Sequence, residues 1–201
     1  MNKITKTILA AAALAAASFT SNATPIYFAN TGSYYDMVSG NITWTDARTA
    51  SGLKSYAGRS GRLATVSSQA ENDFIVNNLL STGYWGQAYW LGAWQPNGNN
   101  EAAAAGWQWI NGESWSYTNW RPGEPNDGGT TPPVFENYLS VLTPAQNGQW
   151  NDVSVDNPYV VGYIVEYAAV PEPTALSLMS FASVGLLLQL RQNRSKNQSL
   201  K

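Results

Sequence analysis

The stretch GWQWINGESWSYTNWRPGEPND, residues 106–127, carries four tryptophans, the turn-forming pair Asn111-Gly112 and the triplet Glu124-Pro125-Asn126. It lies inside an irregular region, residues 95–133, and irregular segments of that length are usually functional or disordered. The tryptophans argue against disorder, because disordered segments contain few aromatic residues. We therefore expect a long, ordered loop region.

Oxygen-bearing side chains follow one another in and after this loop: Glu124, Asn126, Glu136, Asn151 and Asp152. Ca²⁺ takes about six to eight oxygen ligands, which include carboxylates and amide carbonyls. An X–Pro bond can be cis, and a cis bond before Pro125 would turn its neighbours to one side. Each residue alone is also typical of a solvated turn, so the hypothesis of a cation site depends on the whole set.

The chain of 201 residues has neither Cys nor His. This excludes disulfides, catalysis by Ser-His-Asp or Cys-His, and zinc sites built on His or Cys. Residues 24–170 contain five basic and twelve acidic residues, a formal net charge of −7. Such an acidic segment argues against nucleic-acid binding and suits a hard cation such as Ca²⁺ or Mg²⁺.

The residue pattern predicts an α+β domain. Residues 43–50 predict a helix capped by Thr43, and a capping box at Ser68 begins a second helix. Its predicted apolar face is Ala70, Phe74, Ile75 and Leu79. Strands are predicted at 25–28, 33–38, 89–92, 107–110, 138–142 and 160–167, and Asn111-Gly112 favours a hairpin turn.

These features together resemble the C-type lectin domain. Trp90-Leu91-Gly92-Ala93 stands in the place of that family's WIGL strand, and Trp150-Asn151-Asp152 matches its WND motif. The resemblance covers residues 26–167. It implies a C-type lectin-like fold, with two helices flanking antiparallel sheets and a long ordered loop region.

The resemblance also implies a site. Its Glu-Pro-Asn form goes with mannose-type sugars, and it implies one Ca²⁺ held by Glu124, Asn126, Glu136, Asn151 and Asp152. Two neighbouring sugar hydroxyls would complete the coordination shell. Glu124 and Glu136 would accept hydrogen bonds from those hydroxyls, and Asn126 and Asn151 would donate to them, as carboxylates and amides can.

This sequence departs from the family in two places. The family's two disulfides are absent, with Ser51 and Val165, and Tyr138 and Val155, at the equivalent positions. Losing a native disulfide costs about 2–5 kcal/mol, so we expect most of the nine tryptophans to be core residues that offset the loss. The interval between Asn126 and Glu136 is also longer than usual. Asp127, Glu101 and Asn137 are candidates for a second ion site.

The sequences at both ends of the chain are typical of protein-targeting segments. Residues 1–23 have the basic, apolar and small-residue order of a signal peptide. Residues 171–201 resemble a PEP-CTERM sorting segment: Pro171-Glu172-Pro173, an apolar stretch near the minimum length for a transmembrane helix, and a basic tail. The resemblance implies export, membrane attachment through this segment before processing by an exosortase, and a place at the cell surface or in the extracellular matrix. A plain membrane anchor is the alternative.

The favoured function is Ca²⁺-dependent binding of a mannose-type glycan or exopolysaccharide. A structural or protein-binding domain of the same fold is the alternative, since fold does not fix function. Glu124 and Glu136 could also form the carboxylate pair of a glycosidase. Assigning both to one ion leaves no free acid, so we expect no enzymatic activity.

Overall fold

The computed structural model describes residues 24–80, 86–98, 102–129 and 135–169. The chain divides after Ala168, and every element below belongs to the first unit. The described residues form two α-helices, α1 (Trp44–Gly52) and α2 (Gln69–Leu79). The strands are β1 (Ile26–Phe28), β2 (Ser33–Ser39), β3 (Ser55–Tyr56), β4 (Arg59–Leu63), β5 (Ala88–Trp94), β6 (Gln108–Trp109), β7 (Tyr138–Leu142), β8 (Trp150–Val153) and β9 (Val160–Tyr167).

Both helices begin where the capping residues predict. The Thr43 hydroxyl accepts from the Asp46 N–H at 3.1 Å, and the Ser68 hydroxyl accepts from the Glu71 N–H at 3.3 Å. Each bond satisfies a backbone donor that has no partner inside the helix. The Glu71 carboxylate does not complete the capping box on Ser68. It accepts instead from the Ser67 N–H at 2.9 Å.

The predicted apolar face of α2 is partly wrong. Ala70 is exposed, and the buried residues of the helix are Glu71, Asn72, Ile75 and Val76. The helix turns two polar residues inward because the core supplies partners for them. Asn72, for example, accepts from Trp150 Nε1 at 2.8 Å and donates to the Gly148 carbonyl at 3.2 Å.

The strands form one sheet in the order β1-β2-β9-β5-β7-β8. Strand β9 lies at its centre, with β2 along one side and β4 and β5 sharing the other. The predicted α+β architecture is confirmed. One pairing is parallel, between β5 and β9, whereas the other strand pairs are antiparallel. Asn111-Gly112 forms a turn, but no strand pairs with β6 after it.

Two apolar clusters cover the two faces of the sheet. Strand β8 shows the division, because Trp150 belongs to one cluster and Val153 to the other. The Trp150 ring lies within 6 Å, centroid to centroid, of Trp109, Trp115 and Trp120. Contacts of this kind contribute beyond simple burial. All eight tryptophans of the described residues are buried or packed against a cluster, as predicted: Trp44, Trp90, Trp94, Trp107, Trp109, Trp115, Trp120 and Trp150.

Close packing occupies the regions where the family's disulfides would lie. A methyl group on Gly61 would stand 2.6 Å from the Ser51 carbonyl oxygen and 3.0 Å from Val165 Cγ1, so that region has no spare room. Near the second pair, the Tyr138 ring packs on Trp44 with 5.0 Å between centroids. The Trp44 N–H donates to the Val155 carbonyl at 3.0 Å.

The loop after β5 is ordered where it is described. Gln95 Nε2 donates to the carbonyls of Ala102 and Ala103 at 3.3 and 3.1 Å. Farther on, the Trp150 N–H donates to Asn119, and the Arg121 N–H donates to Trp150. These bonds attach the loop to β8 immediately before the Glu124-Pro125-Asn126 triplet.

The predicted signal peptide and PEP-CTERM segment lie outside the described residues. Within the described ranges, neither helix has the length and apolar character needed to cross a bilayer.

Candidate functional site

The Glu124-Pro125-Asn126 triplet forms a tight loop against β8. The Glu124–Pro125 peptide bond is cis, as the sequence suggested. Asn126 Nδ2 donates to Glu124 Oε2, so the two side chains lie on the same side of the loop. Asp127 and Gly128 then take positive φ values of 51° and 69°. That left-handed turn, which glycine adopts freely, reverses the chain beside the triplet.

Asp152, on β8, joins this loop to the sheet. Its Oδ2 accepts from the backbone N–H groups of Asn126 and Asp127, both at 2.9 Å. The residue is 0% exposed, and its Oδ1 has no hydrogen-bond partner among the described residues. A buried carboxylate oxygen without a partner is costly. A cation or a hydrogen-bond donor placed beside Asp152 Oδ1 would offset this cost.

Glu136 approaches the loop from the other side. Its N–H lies 3.4 Å from Asp127 Oδ1, and its carboxylate accepts from the Gly128 N–H. Burial and then the negative charge of Asp152 raise the pKa of Glu136 from 4.5 to about 7. The extra residues between Asn126 and Glu136 therefore do not separate Glu136 from the other predicted ligands.

The carboxylates repel one another. Burial, followed by the charge of Asp152, raises the pKa of Glu124, whereas the Arg121 charge partly lowers it. Burial is also the main cause of the raised pKa of Asp152, against the lowering effect of the backbone bonds from Asp127 and Asn126. A cation placed among these groups would favour their ionised forms.

Asn151 lies apart from this cluster. It precedes Asp152 on β8, and successive side chains of a strand point to opposite faces. Its side chain lines a cavity together with Ser140 and Val153 on the other face of the strand. Its role as an ion ligand, implied by the resemblance, stays a prediction.

The donor set fits an oxygen-liganded cation. Among the described residues, no three acidic side chains converge closely enough to form a metal cage by themselves. Amide, water and ligand oxygens would have to complete the shell, and Ca²⁺ accepts all of these. The sequence assigns Asp127 to a second ion site with Glu101 and Asn137. The structure places Asp127 in this cluster, where its N–H donates to Asp152 and its carboxylate accepts from the Glu136 N–H, and Glu101 lies outside the described residues.

The sheet, its two helices and the loop of residues 124–129 packed on β8, hereafter the acidic loop, have the fold of a C-type lectin-like domain. Human lithostathine shares this fold with a TM-score of 0.54 at 23% identity, over 68% of this chain and 84% of that one. The cow C-type carbohydrate-recognition domain of CD23, solved in the presence of a GlcNAc2Man3 oligosaccharide, matches with a TM-score of 0.55. The two sequences are 28% identical, and the match covers 73% of this chain and 94% of the CD23 domain.

The family model of the lectin C-type domain matches residues 40–161. The chain is also 31% identical over 143 residues to a protein named Lectin from Pleurodeles waltl, over 70% of this chain and 75% of that protein. It is 30% identical over 160 residues to Halomucin from Haloquadratum walsbyi. That match covers 73% of this chain and 2% of Halomucin. The chain belongs to the C-type lectin domain family.

Proposed function

We propose that this domain binds carbohydrate through a Ca²⁺ ion held by the acidic loop and strand β8. The observation that carries the proposal is the buried Oδ1 of Asp152, for which the described segments provide no hydrogen-bond partner. It lies in a cluster where the pKa values of Asp152, Glu124 and Glu136 are all raised. A divalent ion would offset both the lost hydrogen bond and the repulsion between carboxylates.

The residues proposed to hold the ion are Glu124, Asn126, Glu136 and Asp152, with Asn151 retained as a prediction. When bound, Ca²⁺ would supply open coordination positions for two neighbouring sugar hydroxyls. The carboxylates would accept hydrogen bonds from those hydroxyls, whereas the Asn126 amide would donate. The Glu-Pro-Asn triplet makes mannose-type sugars the proposed ligands. The domain would bind sugar and not cleave it, because its acidic side chains serve as ligands.

The proposed setting is the surface or matrix of an exporting bacterial cell. It depends on the predicted signal peptide and sorting segment, which lie outside the described residues. A single shallow sugar site binds weakly, so useful retention on an exopolysaccharide would need several copies of the site on a repetitive glycan.

Calorimetric titration of the full chain tests the proposal. Ca²⁺ is added first, and methyl α-D-mannoside is then added with Ca²⁺ or with a chelator. We expect saturable Ca²⁺ binding and sugar heat that disappears in the chelator. Ca²⁺ binding without a sugar response would favour the structural or protein-binding alternative. No Ca²⁺ binding at millimolar concentration would sink the proposal.

A matched pair of variants ties the result to the site. Asp152→Asn keeps an oxygen for the Asn126 and Asp127 N–H groups but removes the charge, and should weaken Ca²⁺ binding at least tenfold. Glu113→Gln removes the same charge from an exposed position outside the cluster and should leave Ca²⁺ affinity unchanged. Equal losses in the two variants would indicate a diffuse effect of net charge.

A further inference from the structure

The cavity lined by Asn151 lies on the face of β8 opposite the cluster of Glu124, Glu136 and Asp152. It has a volume of about 280 Å³, close to the lower limit of about 300 Å³ for small-molecule pockets. Apolar side chains of β5, β7 and β8 contribute to its walls, and polar groups surround them. The polar lining residues are Arg121, Ser140, Gln146, Asn151, Asn157 and Tyr159. A cavity of this size can accept about one sugar ring.

Its polar groups are mainly donors. The Gln146 amide oxygen accepts from the Gly86 N–H at 2.9 Å, and the Asn157 amide oxygen accepts from the Tyr159 N–H at 3.0 Å. Both amides therefore retain their NH₂ groups for another partner. The Ser140 hydroxyl already donates, to the Asn151 carbonyl at 3.1 Å.

Arg121 adds a positive charge to these donors. Its side chain makes no hydrogen bond or ion pair with the described residues. Other basic side chains are engaged, since Arg62 pairs with Glu166 at 3.1 Å and Arg59 donates to the Gly32 carbonyl at 2.5 Å. The residues that line the cavity include no Asp or Glu. The Arg121 charge also acts on Glu124, whose pKa it lowers, but an anion that enters the cavity would meet this positive charge and no acidic lining residue.

Two further features suit a sugar. Tyr159 is 69% exposed at the cavity, and an aromatic ring offers a flat apolar surface with a polar tip. Asn151 carries a buried Oδ1 without a hydrogen-bond partner among the described residues. A hydroxyl group that enters the cavity could supply the missing donor.

We propose that this cavity, defined by Arg121, Asn151 and Tyr159, is a second binding site that takes a carboxylate-bearing sugar residue of the uronic acid type. The Arg121 guanidinium pairs with the carboxylate through charge-assisted hydrogen bonds, and the Tyr159 ring contacts the face of the sugar. The inference rests on the proposed carbohydrate-binding function and extends it, because the domain then prefers acidic glycans to neutral ones.

The test compares methyl β-D-glucuronide with methyl β-D-glucoside, which differ at C6 by a carboxylate and a hydroxymethyl group. Ligand-observed NMR titrations use the full chain in chelator, where a Ca²⁺-dependent site is silent. The glucuronide should bind about tenfold more tightly, as expected for hydrogen bonds to a charged group. Arg121→Gln should abolish that preference, Arg121→Lys should retain part of it, and Tyr159→Ala should weaken both sugars.

Lys54→Gln is the matched control, since it removes the same charge from a residue outside the cavity. Equal binding of the two sugars by the unmodified chain, or an Arg121→Gln effect no larger than that of Lys54→Gln, would overturn the second site. Methyl α-D-mannoside with Ca²⁺ separates the two proposals. If it fails to bind while the Arg121 dependence persists, the second site stands and the Ca²⁺-dependent function fails. If it binds and the Arg121 dependence is absent, the reverse holds.

Discussion

Two groups of buried carboxylates in this domain are surrounded in opposite ways. Glu166, on β9, accepts hydrogen bonds from Arg62, Ser33 and Thr65, and both of its oxygens are used. Asp152, on β8, uses one oxygen for two backbone N–H groups, and the part of the chain that the structure describes offers no partner for the other. The charged group near Asp152 is a second carboxylate, Glu136. The charged group near Glu166 is the guanidinium of Arg62.

Under the proposed function, this difference separates structural carboxylates from carboxylates that bind the ion. A buried charge stabilises a fold only when its oxygens are hydrogen-bonded and its charge is paired. Glu166 meets both conditions within the protein. Within the described residues the Asp152 cluster meets neither in full, and the proposed Ca²⁺ ion would satisfy both. Substituting Glu by Gln keeps the size of the side chain and removes its charge. We expect this change to lower stability at Glu166 and to lower Ca²⁺ affinity at Glu136.

The largest expected effect is on folding. Glu166→Gln removes the partner of Arg62 and places an amide NH₂ against donors. Removing one partner of a buried ion pair costs about 3–5 kcal/mol. Because the Arg62 side chain is 30% exposed and so partly solvated, we expect the lower end of this range, about 3 kcal/mol. Urea unfolding in chelator measures the loss. Ca²⁺ affinity of the folded fraction should be unchanged, and a change there would contradict a purely structural role.

Glu136→Gln should act in the opposite way. It relieves repulsion with Asp152, so the chain in chelator should be as stable as the unmodified protein or more stable. Ca²⁺ affinity should fall at least tenfold, because affinity in such sites follows the number of charged ligands. Calorimetry and urea unfolding on one preparation give both values. A loss of stability in chelator would place Glu136 with the structural carboxylates.

The third prediction concerns pH. The pKa of Glu136 is about 7 in the fold, against 4.5 in an unfolded chain. The folded state therefore binds more protons between these values, and stability falls as pH rises through that window. In chelator, Tm should increase when the pH is lowered from 8 to 5.5. With saturating Ca²⁺, which binds the ionised form and stabilises the fold, Tm should decrease over the same range.

Slopes of the same sign in chelator and in Ca²⁺ would contradict this prediction. Glu71 requires a control, because burial also raises its pKa. Its contribution has the same sign as that of Glu136 in chelator but should not respond to Ca²⁺. Repeating both profiles in a Glu71→Gln background isolates the effect of the acidic loop.

Much of this comparison could be predicted from local sequence. The helix starts at Thr43 and Ser68 depend on bonds within one turn, so the residue types suffice to locate them. The tryptophan core follows from composition, since so many large aromatic rings must be buried. That Glu124, Asn126 and Asp152 lie close together also follows from two short, recognisable motifs, whereas Glu136 lies outside both motifs and its approach depends on how the intervening loop folds.

The rest depends on contacts between distant residues. Ala70 is exposed because Trp150 and Gly148, more than 70 residues away, supply partners for Asn72. Asn151 and Asp152 are neighbours in sequence, yet the strand sends them to opposite faces. No local sequence pattern predicts the cavity lined by Asn151 either, because Arg121 and Tyr159 come to it from separate segments of the chain.

The smallest effect is expected at Glu71, a buried carboxylate between the two extremes. It accepts from the Tyr35 hydroxyl at 2.6 Å and from the Ser67 N–H and hydroxyl at 2.9 and 3.0 Å. In Glu71→Gln, the amide oxygen can keep both Ser67 bonds while the NH₂ group donates to Tyr35. The Tyr35 proton can then turn to Thr31 Oγ1, 3.2 Å away. With the Ser67 and Tyr35 donors still paired and no cation left alone, the cost in urea unfolding at pH 8 should stay within about 1 kcal/mol. A loss as large as that of Glu166→Gln would show that the charge of Glu71 is itself needed, and that a full set of hydrogen-bond donors does not define a structural carboxylate in this domain.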